Sequence, residues 1–308
     1  MKKVFIDGSA GTTGLRIYER LSARDDVEIL TLSDEKRKDP SARKEMLYQA
    51  DIAFLCLPDD AAREAVALAE GSDVVIIDAS TAHRTLPDWA YGFPELSKAH
   101  EEKIVSSKRI AVPGCHASGF IALVYPLVEA GILPKESLLS CHSITGYSGG
   151  GKKMIADYES EEKSALLGAP RQYGLTQQHK HLKEMKAITG IENAPCFSPI
   201  VSDFYSGMTV TVPLFASQIK GSVDEIKEVY KKKYASGLVT YVESADEGGF
   251  VSGAALSGKD SMKITVAGNE ERILLIACYD NLGKGASGAA MECMNMVLGV
   301  DRTKGLVL

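Results

Sequence analysis

Three scarcities narrow the classes to which this chain of 308 residues can belong. Positive charge is not in excess, because 41 acidic residues outnumber 35 basic ones and give a formal net charge of -6. Non-specific binding of nucleic acid needs a concentrated positive field, so no nucleic-acid partner is predicted. Long apolar runs are also lacking, since the longest, at 120–133, is interrupted by Pro126 and Glu129. It is too short for a bilayer, and no membrane partner is predicted.

The chain also lacks closely spaced pairs of cysteines, which is the third scarcity. The six cysteines are scattered, and none belongs to a C-x-x-C motif. This disfavours a disulfide framework and a zinc site. The first apolar run begins at Val4, with no charged leader or cleavage signal before it. We therefore expect a cytoplasmic protein with reduced thiols and no bound metal.

The rest of the composition, 45% hydrophobic and 25% charged, is typical of a globular protein. The first hundred residues alternate apolar runs with helical patterns, which predicts a doubly wound parallel sheet of the Rossmann type in an α/β protein. The strand candidates are 4–6, 27–32, 52–57 and 74–77, and the helix candidates are 15–21 and 60–68.

The pattern changes after Pro113. A helical segment at 117–129 is followed by strand candidates without regular helices between them, at 138–144, 209–215, 262–266 and 273–277. Ser222 and Glu225 form a capping-box pattern for a helix that ends at Tyr234. These features predict an α+β domain with a mostly antiparallel sheet. Because 286–298 is helical again, we expect a first domain of residues 1–114 and 286–308, with residues 115–285 inserted as a second domain.

The turn after the first strand candidate has the pattern G-x-x-G-x-x-G. Glycine in such a turn lets backbone N–H groups approach a pyrophosphate at the positive end of a helix. A glycine-rich turn without a ligand is the alternative. We predict that the cofactor binds at Gly8, Ser9, Ala10, Gly11, Thr12, Thr13 and Gly14.

The end of the second strand candidate bears on the choice between NAD and NADP. An NAD enzyme usually has a carboxylate there for the ribose 2′-hydroxyl. This chain has Ser33, followed by Lys36 and Arg37, and these residues suit a 2′-phosphate better. Asp34 and Glu35 lie between them and leave a solvated loop as the alternative. We predict NADP.

Cys115 follows a Pro-Gly pair and precedes a helical pattern. At a helix N-terminus the dipole and the backbone N–H groups favour the thiolate, which a nucleophile needs. By contrast, Cys56, Cys141 and Cys278 lie in apolar strand candidates, where cysteine usually acts as a small hydrophobe. We predict that Cys115 is the nucleophile.

His179 and His181 lie two residues apart, and no convincing third metal ligand accompanies them. A histidine held by a carboxylate suits a general base for a thiol. We assign this role to His181, because Glu184 would orient it if a helix begins there. His179 and Glu184 are assigned to the substrate. Exposed polar residues in a lysine-rich loop are the alternative.

Two other segments have candidate roles. Ser80 and Arg84 follow the strand candidate at 74–77, at the sheet edge where open α/β sheets bind ligands. We assign Ser80 to the cofactor and Arg84 to a substrate carboxylate, with a surface arginine as the alternative. Ser148 and Gly149 belong to a glycine- and lysine-rich stretch that suits an anion nest for a phosphoryl group, or a flexible loop.

In order and spacing, these motifs resemble the N-acetyl-γ-glutamyl-phosphate reductases, most closely their shorter branch. The resemblance covers nearly the whole chain, through segments 8–14, 78–84, 91–95, 113–115, 145–149, 179–184 and 280–285. It implies an aspartate-semialdehyde-dehydrogenase-like fold, an NADP-binding first domain, and a second domain for catalysis and dimerisation. Lys183 departs from the family pattern, in which many relatives have proline.

The resemblance also implies a reaction of arginine biosynthesis. The Cys115 thiolate would attack a small acyl phosphate, phosphate would leave, and NADPH would reduce the resulting thioester to an aldehyde. A homodimer or homotetramer is implied as well. Two alternatives stay open: a sister acyl-phosphate reductase, such as aspartate-semialdehyde dehydrogenase or aminoadipyl-phosphate reductase, and a non-catalytic NADP-binding sensor.

Overall fold

The computed structural model describes residues 1–308 and divides them between two units. The first comprises 1–113 and 286–306, and the second comprises 114–285 and 307–308. Gly114 and the last two residues thus lie in the second unit rather than in the first. The Gly114 N–H donates to Glu184 and the Val307 N–H donates to Asp260, at 2.8 Å in both cases, which ties these residues to the second unit.

The helices in chain order are α1 (Thr12–Ser22), α2 (Pro40–Gln49), α3 (Asp59–Leu68), α4 (Lys98–Ser106), α5 (Cys115–Glu129), α6 (Gly151–Glu159), α7 (His181–Thr189), α8 (Val223–Lys233) and α9 (Gly288–Leu298). The strands are β1 (Lys2–Asp7), β2 (Val27–Leu30), β3 (Ile52–Leu55), β4 (Val75–Asp78), β5 (Ala90–Tyr91), β6 (Arg109–Ala111), β7 (Ser140–Gly146), β8 (Arg171–Gln172), β9 (Cys196–Ser202), β10 (Met208–Phe215), β11 (Val239–Tyr241), β12 (Met262–Gly268) and β13 (Arg272–Tyr279).

In the first unit, six parallel strands form one sheet in the order β2-β1-β3-β4-β6-β5. β3 is buried along its whole length, because helices cover both faces of the sheet. One face packs with Ile17 of α1 and Met291 of α9, and the other packs with Leu47 of α2 and Ala62 of α3. The predicted doubly wound parallel sheet is confirmed.

Two helices of this unit, α2 and α4, are additions to the predicted pattern. α2 begins after Asp39, whose carboxylate accepts the Ser41 N–H at 3.0 Å, and Pro40 occupies its first position. The Ser97 hydroxyl caps α4 by accepting the His100 N–H. Cap residues therefore mark both helices, whereas their sparse apolar faces do not reveal them by periodicity.

The second unit contains a seven-stranded sheet in the order β11-β12-β13-β10-β7-β9-β8. β7 and β9 are parallel, as are β11 and β12, and the other neighbours are antiparallel. The mostly antiparallel sheet is confirmed, but the expectation of strands without regular helices between them is wrong, because α6 and α7 lie between β7 and β10 in the chain. The Ser222 and Glu225 capping box is present at the start of α8.

Most of α5 is buried, which is typical of a helix at the centre of its unit. Pro126 lacks the N–H that would bond to the Ala122 carbonyl along the helix. The Tyr234 hydroxyl donates to that carbonyl at 2.8 Å, so the carbonyl has a partner. No helix of the chain is both long enough and apolar enough to cross a bilayer.

Candidate functional site

In the first unit, the glycine turn between β1 and α1 contains two glycines that internal packing requires. Gly8 has a φ of +88°, and a Cβ there would lie 2.4 Å from the Cys56 carbonyl oxygen. A Cβ at Gly14 would lie 2.4 Å from the Gly8 carbonyl oxygen. Both contacts are with backbone, so a side chain at either position would force the turn to move.

Gly11 differs from its two neighbours, because a Cβ there would meet nothing nearer than 3.5 Å. The space beside it is therefore open to a ligand. No side chain caps α1, and the Thr12 hydroxyl oxygen is buried without a hydrogen-bond partner. Uncapped N–H groups and an unused hydroxyl at a helix N-terminus are suited to phosphate oxygens. The residues present thus fit the pyrophosphate of a dinucleotide cofactor.

Beyond β2, the predicted 2′-phosphate residues share one turn. The Ser33 carbonyl accepts the N–H groups of Lys36 and Arg37, at 2.9 and 3.0 Å. The Arg37 guanidinium lies 3.6 Å from the Asp34 carboxylate, and both side chains are exposed. An exposed pair of this kind contributes little to stability and leaves the cation accessible.

The segment after β4 is organised by the Asp78 carboxylate, which is fully buried. It accepts the Ser80 N–H at 2.9 Å and the Ser80 hydroxyl at 2.7 Å, and it lies 2.6 Å from the His83 Nδ1. The Ser80 oxygen also accepts the Ala82 N–H. Ser80, which we predicted to bind the cofactor, therefore makes its contacts within this turn.

Arg84 is buried rather than a surface arginine, and its predicted contact with a substrate carboxylate stays a prediction. Its guanidinium donates to the Val112 carbonyl at 2.8 Å and to the Ala79 carbonyl at 3.0 Å. These two carbonyls follow β6 and β4, respectively. Arg84 thus links two loops at one edge of the parallel sheet, a structural role that sequence alone does not reveal.

In the second unit, Cys115 is the first residue of α5 and is partly exposed. Gly114 precedes it as an N-cap without a side chain, so no side chain caps the first-turn N–H groups of α5. The six cysteines form no disulfide. Burial raises the pKa of the Cys56 thiol to about 12, with Asp78 and Asp7 adding to the effect, and burial raises the pKa of Cys141 and Cys278 as well.

Three histidine rings cluster beside the start of α5. The ring centroid of His116 lies 5.8 Å from that of His179 and 5.7 Å from that of His181. The rings of His179 and His181 are 4.7 Å apart and nearly perpendicular. The His181 N–H donates to the His179 Nδ1 at 3.2 Å, so His179 caps α7. Burial and then the neighbouring Lys180 lower the pKa of His179.

α7 begins at His181, as the assignment of this residue assumes. The structure gives Glu184 a contact that the sequence did not indicate, since its Oε1 accepts the Gly114 N–H at 2.8 Å. The side chain is almost fully buried. Glu184 therefore fixes the turn that presents Cys115.

His116 is a residue of this cluster that sequence reasoning missed, although it directly follows Cys115. Its Nδ1 lies 2.6 Å from the Ser143 hydroxyl, and its Nε2 lies 2.6 Å from the Tyr173 hydroxyl. Burial, together with the charge of His179, lowers the pKa of His116 to about 3. The ring is neutral at pH 7 and orients Tyr173. Burial and the nearby Cys115 raise the pKa of that tyrosine.

The predicted anion nest is a turn between β7 and α6. Ser148 is buried in it, and its oxygen accepts the Asn281 side-chain amide at 3.0 Å. Gly149 follows as an exposed residue, and a Cβ there would lie 3.3 Å from the same amide nitrogen. Asn281 lies in segment 280–285, for which the sequence predicts no contact. It follows β13 and holds the turn in place.

A surface cavity of about 350 Å³ adjoins His179. It is lined by Gln177, Gln178, His179, Lys180, Leu182, Lys183, Lys186 and Ala194. Three lysines in one lining suit an anionic ligand. No group of three or more histidine, cysteine or acidic side chains has the arrangement of a metal site.

Comparisons with known proteins identify the family. Residues 3–104 match the model of the semialdehyde dehydrogenase NAD binding domain, and residues 115–281 match that of the semialdehyde dehydrogenase dimerisation domain. The N-acetyl-gamma-glutamyl-phosphate reductases of Brucella ovis and Brucella melitensis are each 45% identical over 306 residues, with 96% of this chain and 99% of the relative covered.

Solved structures show the same fold. Aspartate semialdehyde dehydrogenase II of Vibrio cholerae superposes with a TM-score of 0.74 at 17% identity, covering 97% of this chain and 98% of that one. The aspartate semialdehyde dehydrogenase of Candida albicans gives a TM-score of 0.66 at 14% identity, with coverages of 97% and 99%. At these identities the likeness concerns the fold alone, but the Brucella relatives are far more similar. The chain belongs to the N-acetyl-γ-glutamyl-phosphate reductases of the semialdehyde dehydrogenase family.

Proposed function

We propose that the protein reduces N-acetyl-γ-glutamyl phosphate to N-acetylglutamate γ-semialdehyde with NADPH, through a thioester on Cys115. The observation that carries this proposal is the placement of Cys115 at the first position of α5, beside a cluster of three histidines. The first unit is assigned to the cofactor and the second to catalysis.

In the first step, the Cys115 thiolate attacks the acyl carbon and the bond to the phosphate oxygen breaks, which yields a thioester and inorganic phosphate. The N-terminus of α5 favours the thiolate over the thiol. Negative charge also develops on the leaving phosphate. We assign its stabilisation to the turn of Ser148 and Gly149 and to the N–H groups at the start of α5.

In the second step, the thioester carbon is reduced and the carbon–sulfur bond breaks, which releases the aldehyde and restores the thiolate. The cofactor, when bound, supplies the hydride. We assign the proton transfers to His181, because the Nδ1 of His179 is already engaged in capping α7. His179 and the lysines beside it are assigned to binding of the substrate's negative charges.

NADP is the cofactor that we propose, held by residues 8–14 and by the turn after β2. The open space at Gly11 and the buried hydroxyl of Thr12 support the pyrophosphate site. The exposed cations of Lys36 and Arg37 support a 2′-phosphate. NADP should bind about tenfold more tightly than NAD, a difference of about 1.4 kcal/mol. Calorimetry tests this: Ser33→Asp should reverse the preference, and equal affinities in the unmutated protein would contradict it.

We also propose a homodimer formed through the second unit, because the matching family model is a dimerisation domain. One face of the seven-stranded sheet supports this, since Ile144, Phe215 and Leu274 are exposed on it. Light scattering should give twice the mass of one chain, and Leu274→Glu should lower it. A mass four times that of one chain would indicate a homotetramer. A cytoplasmic location suits the reduced thiol that the reaction needs.

The decisive assay runs the reaction backwards, with NADP, inorganic phosphate and N-acetylglutamate γ-semialdehyde. Reduction of NADP that depends on phosphate supports the proposal. Faster turnover of aspartate β-semialdehyde or of an aminoadipate semialdehyde would instead assign the protein to a sister reaction. Binding of NADP without turnover of any semialdehyde would indicate the sensor.

A further inference from the structure

We propose that Tyr279 is a positioning residue for the nucleophile, and that its hydroxyl sets the geometry of the first turn of α5. The proposal rests on the proposed function in one respect only, the role of Cys115 as the reacting thiol. It concerns a residue 164 positions away in the chain.

The Tyr279 hydroxyl makes two hydrogen bonds in this turn. It donates to the Cys115 carbonyl at 2.5 Å and accepts the Gly119 N–H at 3.0 Å. These two backbone groups are four residues apart, the pair that bonds directly in a regular α-helix. The tyrosine thus joins both ends of the first helical turn, and it uses both the donor and the acceptor capacity of its hydroxyl.

Close packing leaves this hydroxyl little freedom to move. The Tyr279 side chain is fully buried. A Cβ at Gly119 would lie 2.7 Å from the Tyr279 hydroxyl oxygen and 2.7 Å from a methyl carbon of Val210. The absence of a side chain at Gly119 is therefore what lets the tyrosine reach the helix backbone.

The loop after Tyr279 holds the same turn from a second direction. A Cβ at Gly285 would lie 3.2 Å from the Cys115 Cβ and 3.4 Å from its Cα. Together with the Glu184 contact to the Gly114 N–H, these contacts fix the backbone on both sides of Cys115. The direction of the Cys115 side chain follows from the position of that backbone.

Two other buried tyrosines make comparable bonds further along α5, and one of them, Tyr234, provides a matched control. The Tyr234 hydroxyl donates to the Ala122 carbonyl at 2.8 Å, and the Tyr230 hydroxyl donates to the Leu123 carbonyl at 2.5 Å. Tyr234 serves the carbonyl that Pro126 leaves without a helical partner. Loss of the Tyr234 hydroxyl leaves that carbonyl without a hydrogen-bond partner. By contrast, when the Tyr279 hydroxyl is lost, the Cys115 carbonyl and the Gly119 N–H can bond to each other.

The two phenylalanine variants should therefore separate stability from reactivity. We expect Tyr279→Phe to lower kcat about tenfold or more, within the range seen when a nucleophile is slightly misplaced. KM should change less than twofold, and iodoacetamide should modify Cys115 more slowly. Tyr234→Phe should lower the melting temperature further than Tyr279→Phe does, while kcat and the alkylation rate stay within twofold of the unmutated protein.

Alkylation followed by peptide mapping needs neither substrate nor cofactor, so it tests the positioning role even if the proposed reaction is wrong. Failure of the reaction would appear as an absence of NADP reduction by the unmutated protein. Gly119→Ala is a second route, because it keeps the hydroxyl but displaces it. It should slow alkylation of Cys115 as Tyr279→Phe does. An unchanged alkylation rate in either variant, or a loss of kcat that follows the loss of melting temperature in both phenylalanine variants, would overturn the proposal.

Discussion

The two candidate binding regions are built in opposite ways. The glycine turn of the first unit is one continuous segment, 8–14, between a strand and a helix. The nucleophile site of the second unit draws on α5, β7, α7 and β13, whose residues are up to 164 positions apart. A local motif can be recognised from the spacing of its residues in the sequence. The contacts of a site assembled by packing cannot be inferred from such spacing.

The largest expected effect concerns the assembled site. Cys115→Ser should lower kcat on the order of 10⁴-fold or more, because a serine hydroxyl is not ionised by a helix terminus as a thiol is. NADP affinity should stay within twofold, since the residues assigned to the cofactor lie in the first unit. Steady-state kinetics and calorimetry measure both quantities.

Cys196→Ser is the matched control, because Cys196 is exposed at the start of β9. It should retain full activity. Iodoacetamide should label Cys115 before the other five thiols. Preferential labelling of Cys196 with a parallel loss of activity would contradict the assignment.

How much of each region can be predicted from the sequence depends on whether its residues are adjacent in the chain or brought together by packing. β1 and β3 are uninterrupted apolar runs, and the capping box of Ser222 is complete in the sequence, so periodicity and cap residues identify them. β9 is missed because Pro199 interrupts its pattern. The partners of His116 are missed because Ser143 and Tyr173 lie 27 and 57 residues away.

Arg84 illustrates the same limit in the first unit. Its type and position predict a carboxylate ligand, which stays a prediction, and its guanidinium also donates to two backbone carbonyls. The contact with the Val112 carbonyl depends on how the loop after β6 folds over the guanidinium, which is a tertiary property that the local sequence does not encode.

Substitution of His181 and of His179 should have different kinetic effects, the first mainly on kcat and the second mainly on KM. His181→Ala should lower kcat roughly 10² to 10⁴-fold, the usual contribution of general acid–base catalysis. His179→Ala should mainly raise KM, because its ring caps α7 and adjoins the lysine-lined cavity. Ala187→Gly is the control for general damage to α7, because Ala187 is exposed on the same helix and does not line the cavity. If His179→Ala removes kcat and His181→Ala leaves it intact, the two roles are exchanged.

Two glycines of the glycine turn should also respond differently to substitution, Gly14 in stability and Gly11 in NADP affinity. Gly14→Ala places a Cβ 2.4 Å from a backbone oxygen, so it should destabilise the protein by about 1–3 kcal/mol. Gly11→Ala meets nothing nearer than 3.5 Å and should change stability by about 0.5 kcal/mol or less. It should nevertheless weaken NADP binding about tenfold. Urea unfolding and calorimetry distinguish the two, and normal NADP affinity in Gly11→Ala would remove the pyrophosphate assignment.

The smallest effect at neutral pH concerns His116. Its pKa is about 3 in the folded protein and 6.5 as the ordinary value, so the unfolded chain binds more protons between these values. This residue therefore stabilises the fold fully above pH 6.5, and the contribution is lost as pH falls towards 3, by at most about 1.4 kcal/mol per pH unit.

Urea unfolding between pH 7 and pH 5 checks this difference. The unmutated protein should lose more stability over that interval than His116→Gln does. His100→Gln provides the control, since His100 is partly exposed on α4 of the first unit and lies outside the proposed dimer face. Equal pH dependence in His116→Gln and the unmutated protein would show that His116 is not held neutral by burial.

The central claim, that Cys115 carries the acyl group, is tested most directly by a single-turnover measurement without NADPH. The protein is mixed with N-acetyl-γ-glutamyl phosphate, and the amount of inorganic phosphate released is measured. The acylated peptide is then mapped by mass spectrometry. We predict one equivalent of phosphate per active site and an N-acetylglutamyl group on Cys115. Acylation of another residue, or no phosphate release until NADPH is added, would contradict the account.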